Sequence, residues 1–313
     1  DTIAGGSGTG DQISYTADTA VTIDTTAASH ALSGMTGVET MSIDRTDGTA
    51  AADYAITLGD AFVAANMNST NNTFTITSDA GDTGDTDVDG SAVSSSYVLA
   101  ITGGTAADVI TGGAGTDTLT GGAGADTIDG GAGNDEIIGG AGIDALTGGA
   151  GSDDFHVDNT TTGDTISDFN WGTTVTGSTV VDQIQVNANY LGGADGADAA
   201  AGLDTVLDTK TTVTSGVTGI DGTTDVAVFT SAVYANAAAL DTAVEALAAG
   251  TVTQDFFAFY QNSFGDTQMA IVESDGVETG AAADFTVTDV FTFSGVGISS
   301  IASTISIDDF IVV

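Results

Sequence analysis

Between residues 110 and 155 a large apolar side chain recurs at every ninth position: Ile110, Leu119, Ile128, Ile137, Leu146 and Phe155. Each is the middle of a three-residue run. A strand alternates its side chains between two faces, so each run predicts a short strand with its middle side chain turned inward. The six residues before each run open on a glycine pair and close on an aspartate, which predicts a tight loop. Six such nonapeptides tile residues 103 to 156: GGTAADVIT, GGAGTDTLT, GGAGADTID, GGAGNDEII, GGAGIDALT and GGAGSDDFH. Only the first departs from the pattern, with Ala106 in place of a glycine. One unit cannot bury its apolar residue alone, whereas stacked units can. Two units make one coil, so loops on the same side recur every 18 residues. Three coils stand roughly 14 Å tall at the spacing of paired strands. A flexible glycine-rich linker would not place isoleucine or leucine so regularly.

Elsewhere the pattern changes. Residues 1–102 are rich in Thr, Ala and Ser, with short alternating runs such as AVTID, VETMSID, YAITL, TFTITS and YVLAIT. They predict a β-rich domain, either β-helix-like or a β-sandwich. Residues 231–250 (SAVYANAAALDTAVEALAAG) predict an amphipathic helix, with Leu240, Val244 and Leu247 on one face and Gly250 as its stop. DFFAFYQNSFGDTQMAIVES predicts a β-hairpin turning near Gly265. The expected architecture is all-β dominated. A Thr/Ala-rich β-domain spans 1–102, a parallel β-roll 103–156, and a β-rich C-terminal cap with one short helix 157–313.

Composition adds a constraint. The 313 residues carry 44 acidic and two strongly basic side chains, Arg45 and Lys210, for a formal charge of −42. So one-sided a chain repels itself when compact. Nucleic acid has no basic footprint to bind, and anionic membrane surfaces are disfavoured for the same reason. No apolar run is long enough for membrane insertion. With no cysteine and two histidines, the cations that balance this charge are expected to be hard ions bound by oxygen. The carboxylates that stacking brings together are Asp108 with Asp126, Asp126 with Asp144, Asp117 with Asp135, and Asp135 with Asp153. That makes about four sites, completed by backbone carbonyls. The glycines that shape these loops are Gly112, Gly113 and Gly115; Gly121, Gly122 and Gly124; Gly130, Gly131 and Gly133; and Gly139, Gly140 and Gly142.

The tandem units resemble the RTX repeats, GGxGxDxUx with U large and apolar, of bacterial proteins exported by type I secretion. The resemblance implies a Ca2+-bound parallel β-roll, an unfolded passage out of the cell, and folding on extracellular calcium. Residues 153–186 (DDFHV…GDTISDFNWG…VDQIQV) resemble the strands that close such rolls. By that resemblance Asp164, Asp168 and Asp182 add calcium ligands; read without it, they are turn and edge-strand aspartates. Phe155, Val157, Ile166, Phe169, Ile184 and Val186 are the expected apolar cap. GGSGTGDQIS (5–14) is a degenerate turn of the same kind. MTGVETMSID resembles a phrase of RTX-type surface-layer proteins. The C-terminal DVFTFSGVGISSIASTISIDDFIVV resembles an uncleaved type I export signal, and is equally readable as a final core strand. The opening residues are neither an initiator Met nor a signal peptide, which suggests a piece of something longer.

Other chemistry is thin. DTDVDG offers Asp85, Asp87 and Asp89 in DxDxDG spacing, but Ser96 stands where a calcium loop of that kind has its last glutamate. The segment is either an isolated calcium loop, with Asp79 or Asp82 nearby, or a solvated acidic loop. His30 and His156 lack any zinc-protease context, and no nucleophile elbow or phosphate loop is present. Among so many acids, close carboxylate pairs arise by chance and do not argue for a glycosidase. Trp171, Phe256, Phe257, Phe259 and Tyr260 read as core residues, not a sugar platform. The expectation is a non-enzymatic, calcium-dependent structural protein on the surface of a Gram-negative-type bacterium, a surface-layer component that self-assembles. Its polysaccharide anchor would lie outside this chain. The alternatives are the folding and secretion module of a larger secreted enzyme, such as a metalloprotease or lipase, and an RTX adhesin. Two basic residues also leave trypsin-like proteases little to cut.

Overall fold

The computed structural model describes residues 12–16, 21–24, 40–44, 54–66, 71–78, 83–157, 163–172, 181–186, 210–213, 226–247, 256–274, 285–299, 302, 305 and 310–312. It divides into two compact units, Asp1–His156 and Val157–Val313.

The first unit is a solenoid of short strands: β1 (Gln12–Thr16), β2 (Val21–Asp24), β3 (Thr40–Asp44), β4 (Tyr54–Gly59), β5 (Thr73–Ser78), β6 (Thr86–Ala92), β7 (Val98–Thr102), β8 (Val109–Thr111), β9 (Thr118–Ala123), β10 (Thr127–Asp129), β11 (Glu136–Ala141), β12 (Ala145–Thr147) and β13 (Asp154–Val157). Odd and even strands alternate between two parallel sheets. One runs β1-β3-β5-β7-β9-β11-β13 and the other β2-β4-β6-β8-β10-β12. In the repeats the register is set by the apolar residue. Ile128 lies between Ile110 and Leu146, and Ile137 between Leu119 and Phe155. All six are buried.

The ladder does not stop where the repeats begin. Val88 pairs with Ile110, and Ile101 with Leu119. Upstream, Ile56 pairs with Val88, Ile76 with Ile101 and Met41 with Ile76. One apolar file therefore runs Met41–Ile76–Ile101–Leu119–Ile137–Phe155, and a second runs Ile56–Val88–Ile110–Ile128–Leu146, each member 2% exposed or less. The expected division at residue 102 falls inside this ladder. Of the two architectures open for residues 1–102, the parallel pairing is that of the β-helix. A seven-residue helix, α1 (Asp60–Asn66), follows β4 and was not expected. It buries Phe62 and Val63, and Phe62 meets Phe74 edge-on at 5.5 Å.

The second unit contains β14 (Asp164–Ile166), β15 (Gln183–Val186), β16 (Lys210–Val213), β17 (Val226–Val233), α2 (Ala237–Leu247), β18 (Phe256–Gln261), β19 (Thr267–Ser274), β20 (Phe285–Phe293) and β21 (Phe310–Val312). Strands β16-β17-β18-β19-β20-β14 form one sheet, and β15 pairs with β21. The hairpin β18–β19 turns at Asn262–Asp266, where Gly265 has φ 97°. The helix begins later than its periodicity suggested. Residues 231–233 extend β17, and Asn236 caps α2 by accepting the Ala239 amide at 3.0 Å. Leu240 and Val244 pack on Ala227, Phe229, Ala258, Tyr260, Ala270 and Val272. Asp289 accepts the Tyr260 hydroxyl at 2.6 Å and the Ala237 amide, which fixes the start of the helix over the sheet.

Trp171 centres an aromatic cluster, with ring centroids 4.3 Å from Phe169, 4.9 Å from Phe293 and 5.6 Å from Phe259. Removing so large a buried ring leaves a cavity that the stiff sheet cannot close. Trp171→Ala is expected to destabilise the second unit by about 3–5 kcal/mol, whereas Trp171→Phe retains most of the packing. Calorimetric melting of the two variants checks this; an unchanged melt for Trp171→Ala would refute it.

Candidate metal centre

The loops of the repeats stack in two columns, one per side of the solenoid. Each loop sends its aspartate inward. Asp108, Asp117, Asp126, Asp135, Asp144 and Asp153 are all 1–2% exposed. The 18-residue coil is held by these carboxylates. Oδ1 of Asp126 accepts the Asp108 amide at 2.8 Å, Asp144 that of Asp126 at 2.8 Å, Asp135 that of Asp117 at 2.8 Å and Asp153 that of Asp135 at 2.9 Å. These are the four pairs that stacking alone anticipates.

Glycine is required because the loops touch. A side chain on Gly121, Gly130 or Gly139 would run into the carboxylate Oδ2 of its own loop's aspartate. At Gly133, φ is +133° and a Cβ would overlap the Gly115 carbonyl one coil below. The remaining loop glycines, Gly112, Gly113, Gly115, Gly122, Gly124, Gly131, Gly140 and Gly142, are crowded in the same way by neighbouring backbone or by their aspartate.

The second carboxylate oxygen decides the chemistry. Oδ2 of Asp108 accepts the Gly104 amide at 2.7 Å, and Oδ2 of Asp117 the Gly113 amide at 2.6 Å. Oδ2 of Asp126 and of Asp135 is buried with no hydrogen-bond donor. No lysine or arginine occurs anywhere between Arg45 and Lys210, so no basic side chain of the solenoid repeats can neutralise them. Burial, followed by repulsion from the stacked aspartates, pushes the carboxyls of Asp126 and Asp135 up to about 7. Burial pushes Asp108 up to about 6 and also raises Asp117 and Asp144. Buried oxygen atoms that lack both donor and counter-charge suit a hard cation. Among the described residues no three acidic or histidine side chains converge on one point. The groups that would hold it are one carboxylate from each of two stacked loops and the carbonyl oxygens of their glycine turns. Such an ion would neutralise charge and cross-link successive coils.

The other expected ligands fare differently. Asp164 and Asp182 are 3% exposed, and Asp182 Oδ2 accepts the Asn170 amide at 2.7 Å. Asp168 is exposed. The calcium loop expected at Asp85, Asp87 and Asp89 is replaced by a strand: Asp87 and Asp89 lie in β6, paired with β4 and β8, and Asp85 directly precedes it. The alternating acids arise from the two-residue period of a strand whose inward positions are Thr86, Val88 and Gly90. Asp87 accepts the Val109 amide at 3.0 Å, and Asp89 accepts the Ser91 amide at 3.0 Å. Asp79 and Asp82 lie outside the described residues, as do His30, Arg45 and the segments GGSGTGDQIS and MTGVETMSID except for residues 12–14 and 40–44. His156 Nε2 stands 3.0 Å from Glu136 Oε1 on an outer sheet face, far in character from the buried aspartates.

Sequence reasoning missed where the columns end. The two lowest repeat aspartates rest on chain without the motif: Asp108 Oδ1 accepts the Thr86 amide at 2.6 Å and Asp117 Oδ1 the Leu99 amide at 2.8 Å. Only backbone takes part on the upstream side, so no residue type signals it.

Residues 102–137 and 129–159 match the family described as RTX calcium-binding nonapeptide repeat, in its four-copy form. The match covers the loops just described and leaves the rest of the chain outside it. No curated protein and no solved structure matches the chain. Repeats of this kind are typical of secreted extracellular bacterial proteins. With its aspartate columns, glycine-bound loops and alternating parallel strands, the segment 102–159 of this chain carries RTX calcium-binding repeats.

Proposed function

We propose that the protein is a non-enzymatic surface-layer component, exported by the type I route to the surface of a Gram-negative-type bacterium, where calcium folds it and joins its copies. The observation that carries this reading is the outer face of the second sheet. Strand register sets Thr57, Asp89, Thr111, Asp129 and Thr147 in one row, hydroxyl alternating with carboxylate on successive strands. Asp89 and Asp129 are exposed. On a chain of charge −42 such a row repels a second copy unless cations lie between them. Calcium then serves both as the folding ion and as the bridge between molecules. The reading includes no nucleic-acid partner, for want of basic surface, and no membrane insertion. Among the described residues no helix is long and apolar enough to cross a membrane. Attachment would run through a surface polysaccharide and a region outside this chain.

The test is electron microscopy of the purified protein with light scattering during calcium titration. Ordered sheets that form at millimolar calcium and disperse in chelator are expected. Monomers that fold yet stay dispersed would overturn the assembly and favour a folding module of a larger secreted protein.

A further inference from the structure

The upstream coils and the repeats share two sheets, two apolar files and one set of backbone contacts, yet only the repeats carry the calcium loops. We propose that the calcium-loaded repeats are the folding template of the upstream solenoid, so that strands β4 to β7 become ordered only when calcium binds downstream of them.

Three observations carry this. First, the contact across the junction has the same form as the contacts within the repeats. The amides of Thr86 and Leu99 donate to Asp108 and Asp117 as the amides of Asp108 and Asp117 donate to Asp126 and Asp135. Second, the lowest glycine turn sits directly on the upstream loop of residues 93–97. The Ala114 amide donates to the Val93 carbonyl at 2.9 Å, and a Cβ on Gly115 would overlap the Tyr97 carbonyl. Upstream backbone therefore occupies the place of a further repeat, without an aspartate or a glycine pair. Third, Ile101 is buried in a file whose next members are the repeat residues Leu119 and Ile137.

The direction follows from the physics of a solenoid. A coil is stabilised by its neighbours, and a terminal coil without one exposes both its strand edges and its apolar file. Before calcium arrives, the buried carboxylates hold the repeats open, and strands β6 and β7 lack the surface they stack on. Calcium closes the repeats, and order then passes upstream through β6 and β7 to β4 and β5.

Hydrogen–deuterium exchange of the whole protein during calcium titration tests this. Protection of strands β4 to β7 should rise at the same calcium concentration as that of residues 112–153 and vanish in chelator. Protection of β4 to β7 in chelator, or a separate midpoint, overturns the proposal. Two variants fix the direction. Asp135→Asn, which weakens the repeats, should cost protection of β4 to β7 as well; retained protection there overturns the template role. Ile76→Asp, in an upstream strand that pairs with no repeat strand, should leave residues 121–153 protected by calcium. Loss of that protection would make the upstream coils the template and overturn the proposal.

Discussion

Gly133→Ala is expected to raise the calcium concentration needed to fold the roll by tenfold or more. Gly133 has φ +133°, and a methyl group there would overlap the Gly115 carbonyl. The backbone conformation alone costs an L-residue about 1–2 kcal/mol. Forcing apart two coils joined by short hydrogen bonds adds about 1–3 kcal/mol. Because about 1.4 kcal/mol is tenfold in an equilibrium, the combined penalty sets the size of the displacement. Gly265→Ala is the control. Gly265 has φ +97°, but a Cβ there meets nothing within 4 Å. It should cost only the backbone term and leave the calcium midpoint of the repeats in place. Circular dichroism against free calcium measures both. Equal effects of the two substitutions would show that inter-coil contact is not what the glycines protect.

Metal-free protein should be better folded in mild acid than at neutral pH, the reverse of an ordinary salt-bridged protein. The sign follows from the buried carboxyls. Asp126 and Asp135 hold protons up to about pH 7 and Asp108 up to about pH 6 in the folded state, against about 4 when exposed. Over that interval the folded chain binds more protons than the unfolded one, so stability falls as pH rises. Below about pH 4 both states are protonated and the difference disappears. Calcium reverses the trend, because it binds the ionised carboxylates and competes with protons. Calcium-stripped protein followed by circular dichroism should therefore lose structure between about pH 4 and pH 7, and added calcium should restore it most effectively at the upper end. Asp126→Asn with Asp135→Asn should flatten the pH dependence of the metal-free form. A metal-free protein that gains structure as pH rises would contradict the burial of these carboxyls.

The repeats were legible because every requirement of the fold falls on a side chain at a fixed interval. Ile128 and Ile137 mark the strands, Asp126 and Asp135 the loops, and the coil length follows from counting. The upstream coils obey the same geometry without the same count. Tyr54 of β4 pairs with Thr86 of β6, whereas Thr127 pairs with Ala145 at the regular interval of the repeats. The longer upstream coil has room for α1, and its varying length hides the period that would have joined these strands to the roll. Asp85, Asp87 and Asp89 misled for a related reason. Acids spaced by two suit a metal loop and the outer face of a strand equally, and only the alternating Thr86, Val88 and Gly90, buried in the sheet, distinguish the two. The end of the aspartate columns was beyond sequence reading, because Thr86 and Leu99 contribute only their amides.

Successive nine-residue units of this solenoid turn to opposite sheets, and this limits how its gene can change length. Losing two adjacent units removes one coil and returns Asp154–Val157 to the sheet of β11 with its neighbours unchanged in kind. Losing one unit brings Phe155 into the sheet of β12 and turns every following loop to the other flank. Viable length variants of the repeat region should therefore differ by eighteen residues. Loss of a single unit would be selected against even though it preserves the reading frame and every motif.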